Sequence, residues 1–396
     1  MKKMMMGLAG ALSLLTPVPS AQAVESLQTF ELDEIVVVAH RDNTDTAETS
    51  VNVKELIDAG QIKTAADILA NVPGVVVTKG QNNGIQVGLR GLNHERTVIA
   101  INGNVVQDVG EIGMGGRAME WDALPVTGIK KIELIRGTSA RYGGAVGGVI
   151  NIVTDDASVP GTKTTLRQSV GSWHTYRTTV IHQGATDDQR FSWNINTSWA
   201  KSGGYYRNNE SNGHDFHFDT TYKLNEQDRL NLSYSHIYKK EGIIVGNNKN
   251  GSPASRYLGY DSSYPVTPNA PQNWVDGYRQ WKTDNIALNY TTPTASVGIF
   301  NYRQGRREYV NRVVMAMGKP RPLGMKEYWN SDIQNYGIDW RQTSRAGVHT
   351  LRYGIQYGKT KYDINHENSH YNLPSTGIFV EDDWALTPRT KLGLSL

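Results

Sequence analysis

The sequence predicts an α+β domain over residues 51–156, followed by a transmembrane antiparallel β-barrel over residues 157–396. Three observations carry this expectation. The chain opens with an export signal, yet no later run approaches the roughly 18 apolar residues of a membrane-spanning helix. Helix and strand patterns punctuated by glycine fill the first part. From Gly161 onward the pattern becomes long strands, apolar on one side and polar on the other.

The export signal occupies residues 1–23. Lys2 and Lys3 supply a positive start, and residues 4–15 are apolar but too short to cross about 30 Å of hydrocarbon as a helix. Ala21-Gln22-Ala23 is a small-x-small cleavage site, which puts the mature start at Val24. Lys plus Arg is 41 and Asp plus Glu 38, a net charge of +3, so no basic excess points to nucleic acid. Tyr 20 and Trp 9 outnumber Phe 6, a bias that suits a lipid–water boundary. Cysteine is absent, which excludes disulfides, thiolate metal sites and a thiol nucleophile.

Residues 24–50 read as a polar leader with one β-prone island, Asp33-Glu34-Ile35-Val36-Val37-Val38-Ala39. Such an island can add itself as a strand to a partner's exposed sheet edge. The alternative is an ordinary first strand of the next domain.

Within residues 51–156, Thr64 can cap a short helix through Val72, with Asp67 at its N3 position and Pro73-Gly74 as the stop. Val75 begins a strand, Ile85 to Leu89 alternate, and residues 97–101 form a strand that ends at the turn pair Asn102-Gly103. Two apolar runs, residues 132–135 and 149–153, flank a stretch containing Gly137, Gly143, Gly144, Gly147 and Gly148. Glycine at that density requires tight turns or close backbone approach.

In this order, Val72-Pro73-Gly74-Val75, Leu89-Arg90-Gly91, Asn102-Gly103 and the glycine-rich segment ending at Thr154 resemble the plug domain of TonB-dependent outer-membrane receptors. The resemblance implies an importer rather than an enzyme. A globular plug closes a barrel of about 22 strands. Outward loops and the plug apex bind a scarce ligand such as a ferric siderophore, haem or cobalamin. The segment Asp33 to Ala39 is then the TonB box, captured by TonB of the inner-membrane energy-coupling complex. Arg90 and Arg136 each precede a glycine at the end of an apolar strand, so each is expected to be half-buried and to need a carboxylate. By resemblance they match plug arginines that face carboxylates of the barrel wall; the alternative is a solvated strand-end arginine.

The barrel strands are explicit. Phe191, Trp193, Ile195, Thr197 and Trp199 alternate with Ser192, Asn194, Asn196 and Ser198; Leu230, Leu232 and Tyr234 alternate with Asn231, Ser233 and Ser235. Leu351, Tyr353, Ile355 and Tyr357 alternate with Arg352, Gly354, Gln356 and Gly358. Short turns near residues 184–189, 225–228, 291–294, 344–347 and 387–390 alternate with longer connections at 203–213, 242–280, 311–330 and 365–375. Outer-membrane barrels have this asymmetry, with short periplasmic turns and long outward loops. The count is about eleven strands, half of what the resemblance implies, and predicts a fragment of a longer receptor embedded in outer-membrane lipid.

Other constellations carry less. His366-Glu367-Asn368-Ser369-His370 spells H-E-x-x-H, but zinc chemistry needs both imidazoles on one helical face, and this neighbourhood is turn-forming and lies between strands. Adventitious metal or ligand contact from an outward loop is the milder reading of His366 and His370. The glycines before Val149 precede a strand, not the helix a phosphate loop must open. No catalytic residue, resident cofactor or metal is expected. Tyr205, Tyr206, Tyr257, Tyr260 and Tyr264 in the outward segments suit aromatic or chelate ligands. The rival class is a secreted or periplasmic β-rich binding protein without a pore.

Overall fold

The structure is a computed structural model that describes residues 48–52, 65–70, 72–79, 85–92, 96–106, 121, 129–135, 142, 147–154, 161–248, 253–267, 274–364, 368–387 and 390–395. The export signal, the island at residues 33–39, Arg136, His366 and Glu367 lie outside the described residues.

The N-terminal domain is built on a five-stranded mixed sheet in the order β1 (Glu48–Asn52), β6 (Ile129–Ile135), β7 (Gly148–Thr154), β4 (Thr97–Ile101) and β5 (Asn104–Val106). The β4–β7 pair is parallel and the others antiparallel. A hairpin of β2 (Val75–Lys79) and β3 (Ile85–Leu89) and a helix over Ala65–Leu69 complete it. Its sheet starts at Glu48, slightly upstream of the boundary expected at residue 51. The helix is shorter than expected because the chain turns at Val72, where the Val75 amide donates to the Val72 carbonyl, and Gly74 takes φ +80°. Ala65, Ala66, Ile68 and Leu69 pack with Ile132, Leu134, Ile150 and Ile152 in one dry core. At about 25 cal/mol per Å² of apolar surface removed from water, this core is the domain's main source of stability.

The glycine-rich approach expected from sequence is realised at Gly147. Its amide donates to the Arg96 carbonyl at 2.8 Å, and a Cβ there would sit 2.6 Å from the same oxygen. Gly147→Ala is expected to cost about 1–3 kcal/mol, because β4 and β7 must separate to admit it. The check is amide exchange across residues 97–101; unchanged protection would refute it.

From Gly161 the chain forms a second sheet of eleven antiparallel strands in strict sequence order, β8 (Gly161–Gly171) to β18 (Thr390–Ser395). Among the described residues β8 and β18 are its unpaired edges. The strands between are β9 (Thr175–Ala185), β10 (Phe191–Ser202), β11 (Ser211–Lys223), β12 (Arg229–Gly242), β13 (Trp274–Thr291), β14 (Ala295–Ala316), β15 (Lys319–Ala346), β16 (His349–Ile364) and β17 (Ser369–Thr387). Four of the five short turns fall where the sequence places them, and Thr387 pairs with Thr390 on either side of the fifth. A further tight turn after Gly171, where Trp173 and His174 take positive φ, joins β8 to β9.

Two expected long connections are corrected. Residues 311–330 are not a loop: β14 and β15 continue to a tight turn at Met317-Gly318, whose φ values of 51° and 74° suit the twist of a hairpin. Residues 365–375 shorten likewise, because β17 begins at Ser369. Broken alternation hid these extensions: Val313 to Met317 are all apolar, and prolines stand at 320, 322 and 374, since a strand that has left the membrane need not keep one apolar and one polar side.

Burial in this sheet is inverted relative to a soluble protein. Asn194, Asn196 and Ser198 are 1–2% exposed, whereas Trp199 on the opposite face is 52% exposed. Ser233 and Ser235 are buried, and Ile286, Ile299, Ile338, Ile355 and Ile378 are exposed. A soluble sandwich would bury the apolar face, so the inversion excludes it. Among the described residues no helix is long and apolar enough to cross a membrane.

Candidate functional site: the domain–wall latch and the lumen

The tight turn Asn102-Gly103 joins β4 to β5 and meets the inner face of the wall. Both residues take positive φ, 50° and 82°, as the pair requires in a two-residue turn. The Gly103 amide donates to Asn151 Oδ1 at 2.9 Å, and Asn151 Nδ2 donates to Glu133 Oε2 at 2.7 Å. Asn102 and Thr154 bond reciprocally: Asn102 Nδ2 donates to Thr154 Oγ1 at 2.9 Å, and the Thr154 amide donates to Asn102 Oδ1 at 3.0 Å. The turn is therefore fixed before it touches anything else.

The wall grips this turn. Arg341 of β15 donates from Nη2 to the Gly103 carbonyl at 2.8 Å, and its Nε pairs with Asp339 at 2.8 Å. The same guanidinium lies 5.5 Å from the Tyr142 ring centroid. Asn335 Nδ2 donates to the Val105 carbonyl at 3.0 Å, and Thr154 Oγ1 donates to Asp219 of β11 at 2.9 Å. Tyr302 of β14 is 2% exposed and joins the apolar core of the N-terminal domain. Gly298 of β14 leaves room for Asn104, whose Oδ1 would sit 3.3 Å from an added Cβ. Asn335, Asp339, Arg341, Tyr302 and Asp219 share the polar inner face, so the sheet's alternation aims all five at the domain.

Of the two expected anchors, Arg136 lies outside the described residues and Arg90 differs from expectation. Arg90 is exposed rather than half-buried, and its side chain has no hydrogen bond or ion pair among the described residues. The reason is local: Arg90 sits in the left-handed region at φ 55°, and its amide donates to the Gly74 carbonyl to close the β2–β3 unit, which turns the side chain to solvent. The half-buried arginine at the interface, Arg341, belongs to the wall instead and reaches a backbone carbonyl.

Further along the inner face, away from the short turns, lies a cluster of charge and aromatic rings. Arg279 approaches Glu308 at 3.7 Å and Glu241 at 3.9 Å, while Arg306 pairs with Glu308 at 3.0 Å. Lys239 and Arg279 lie over the Trp281 ring, and Arg306 lies over Trp329. The outward connections above it are tied down by amides. Asn247 is fully buried and donates to the carbonyls of Asp261, Tyr264 and Pro265. Arg207 donates to the Gly259 carbonyl at 2.8 Å, joining two connections. Tyr205 packs edge-on against Trp173 and Tyr206, while Tyr257 and Tyr260 are exposed. His370 stands on strand β17 with Nδ1 2.7 Å from Asp363, so the H-E-x-x-H spacing does not fall on one helix.

The TonB-dependent receptor plug domain profile matches residues 41–149, the sheet and turn just described. Over those residues the chain is a TonB-dependent receptor plug domain. It carries the plug and an N-terminal part of the barrel of an outer-membrane protein. It is 41% identical over 111 residues to the vitamin B12 transporter of Photobacterium profundum, covering 27% of this chain and 18% of that one. It is 32% identical over 177 residues to the ferrienterobactin receptor of Escherichia coli, covering 40% and 22%. The crystal structure of the siderophore receptor PirA from Acinetobacter baumannii superposes with a TM-score of 0.64 at 15% identity, covering 91% of this chain and 57% of that one. The chain therefore spans little more than half of that solved structure, and its aligned parts cover under a third of the curated relatives.

The residues at the latch that sequence reasoning missed are Arg341, Asp339, Asn335 and Asp219. The inward parity of β11 and β15 was the available signal. It marks every such residue as facing the lumen without saying which meets the plug.

Proposed function

We propose that the chain is the gated half of an energy-coupled importer. In the whole receptor, the outward connections and the inner-wall cluster receive a scarce ligand, a ferric siderophore, haem or cobalamin, and the plug then moves to admit it. TonB captures Asp33-Glu34-Ile35-Val36-Val37-Val38-Ala39 as an added strand and pulls. The observation that supports this most is the latch: a single turn, pre-formed by Asn151 and Thr154, is held by wall side chains whose bonds end on backbone carbonyls. Such contacts can be broken and remade without unfolding the plug core. No bond of the ligand needs to change, so no catalytic group is called for.

The test is removal of residues 33–39 from the full-length receptor, with ligand binding and uptake measured separately. Binding persists and uptake stops if the coupling is as proposed; continued uptake refutes it. Competition among labelled iron chelates, haem and cobalamin in the same cells assigns the ligand. Arg90 and Arg136 are proposed as contacts with wall strands of the whole receptor, and carboxylate-reversal rescue of Arg90→Glu by a wall Glu→Arg would support that role.

A further inference from the structure

Glu133 is an unusual residue for its place in the plug sheet. It stands in the middle of β6, between Ile132 and Leu134, which are fully buried in the plug core on the opposite face. Its own side chain is 16% exposed. A carboxylate so placed costs stability unless it is paired and hydrogen-bonded. Both conditions are met. Lys131 Nζ stands 2.5 Å from Oε1, and Asn151 Nδ2 donates to Oε2 at 2.7 Å. In register, Glu133 lies opposite Ser50 of the edge strand β1 on one side and opposite Asn151 of β7 on the other.

The acid decides how the Asn151 amide points. Asn151 is 5% exposed, and an asparagine can offer either its oxygen or its NH2 to a neighbour. A carboxylate only accepts, so it draws Nδ2 to itself and leaves Oδ1 for the Gly103 amide, which donates to it at 2.9 Å. The reversed amide would set oxygen against carboxylate and NH2 against N–H, and both bonds would be lost. Gly103 in turn depends on this bond. It has no Cβ to restrain it at φ 82°, and its carbonyl is the acceptor that Arg341 Nη2 reaches at 2.8 Å. Fixing the glycine's amide from within the plug therefore aims its carbonyl at the wall.

We propose that Glu133 is a positioning residue of the gate. It acts from inside the plug, three hydrogen bonds away from Arg341, and sets whether the wall can grip the plug turn. This rests on the reading of that turn as the releasable latch of an importer. What the position requires is an acceptor aimed at Asn151, not a negative charge as such.

The test is amide exchange over residues 97–106 in the full chain in detergent, with residues 65–69 as the reference for the core. Glu133→Met keeps the length and removes the acceptor. It should speed exchange at 97–106 by about fivefold or more, the effect of one hydrogen bond, with the reference unchanged. Glu133→Gln keeps an acceptor and should change exchange by less than about twofold. Asn151→Asp sets two carboxylates face to face and should match or exceed Glu133→Met. Adding Glu133→Gln to Asn151→Asp reverses the polarity of the pair: the new amide can donate to the new carboxylate, which still accepts from Gly103. Exchange should then return to within about twofold of wild type. A role in bulk or charge alone would give no such rescue. Should Asn151→Asp also open the reference, Glu133→Met against Glu133→Gln is read alone. Equal exchange in Glu133→Met and wild type, or in Glu133→Met and Glu133→Gln, overturns the assignment. So does a reference opened by Glu133→Met as far as residues 97–106, or a double variant with an intact reference and no rescue. In the full-length receptor, Glu133→Met should admit the large polar antibiotics that Arg341→Ala admits, with no further gain when the two are combined. Exchange in the expected order without that permeability would keep Glu133 as the residue that positions the turn, and would refute the turn as a gate.

Discussion

Arg341→Ala is expected to release the plug turn from the wall at a cost of about 3 kcal/mol. Three interactions are lost together: the bond to the Gly103 carbonyl, the pair with Asp339 and the contact over Tyr142. The larger part of the cost is what remains behind. Asp339 is 6% exposed at its side chain, and without the guanidinium its carboxylate is a buried charge stripped of this partner. Removing one partner of a buried pair costs about 3–5 kcal/mol, and the low end applies because Arg341 is itself 13% exposed. Arg341→Lys should keep the charge but lose the fork, so that one donor cannot serve Gly103 and Asp339 at once; about 1–1.5 kcal/mol is expected. The measurement is amide exchange over residues 97–106 in the full chain in detergent. Faster exchange confined to that segment, graded Ala over Lys, supports the latch. Equal exchange in all three proteins would remove Arg341 from any role in holding the plug. In the full-length receptor, the same alanine variant should admit large polar antibiotics that the wild type excludes.

Ile338→Lys is expected to destabilise the inserted wall by about 2–4 kcal/mol. Ile338 stands mid-belt on the outer face, between Ile299 and Tyr357 across the sheet, and is 43% exposed. In a soluble protein, a lysine at such an exposed strand position would be close to neutral. In hydrocarbon, the ammonium loses its hydration and finds no partner. The inner-face counterpart reverses the usual expectation. Ser233 is 6% exposed and its hydroxyl has no hydrogen-bond partner among the described residues, so Ser233→Ala should change stability by less than about 0.5 kcal/mol. Urea titration of folding into vesicles separates the two. If the lysine is tolerated and the alanine is not, the assignment of lipid and lumen faces is inverted.

The two arginine stories show where sequence reading reaches its limit. Asn102-Gly103 was legible as a turn because φ above zero at two successive positions selects that pair, and the turn stands at the centre of the latch. Its grip was not legible. Arg341 is 238 positions away from Gly103, on a strand whose alternation identifies a face but not a neighbour. Arg90 had the more suggestive local setting, before a glycine at a strand end. Its backbone conformation instead commits the amide to Gly74 and leaves the side chain in water. The loop expected at residues 311–330 failed for a related reason. Alternation stops at the membrane boundary, whereas hydrogen bonding between β14 and β15 continues to Met317.

The amino-acid order alone determined the two-part architecture, the eleven-strand count, the short turns, and which side of each wall strand is apolar. These follow from local constraints: side-chain period, turn chemistry, and a glycine density that only close backbone packing requires. Tertiary structure decided which wall residues hold the plug and that the arginine at their interface lies on the wall. Each of these depends on the relative stagger of strands far apart in the chain. That stagger is set by the summed hydrogen bonding of the whole sheet, and no single segment encodes it.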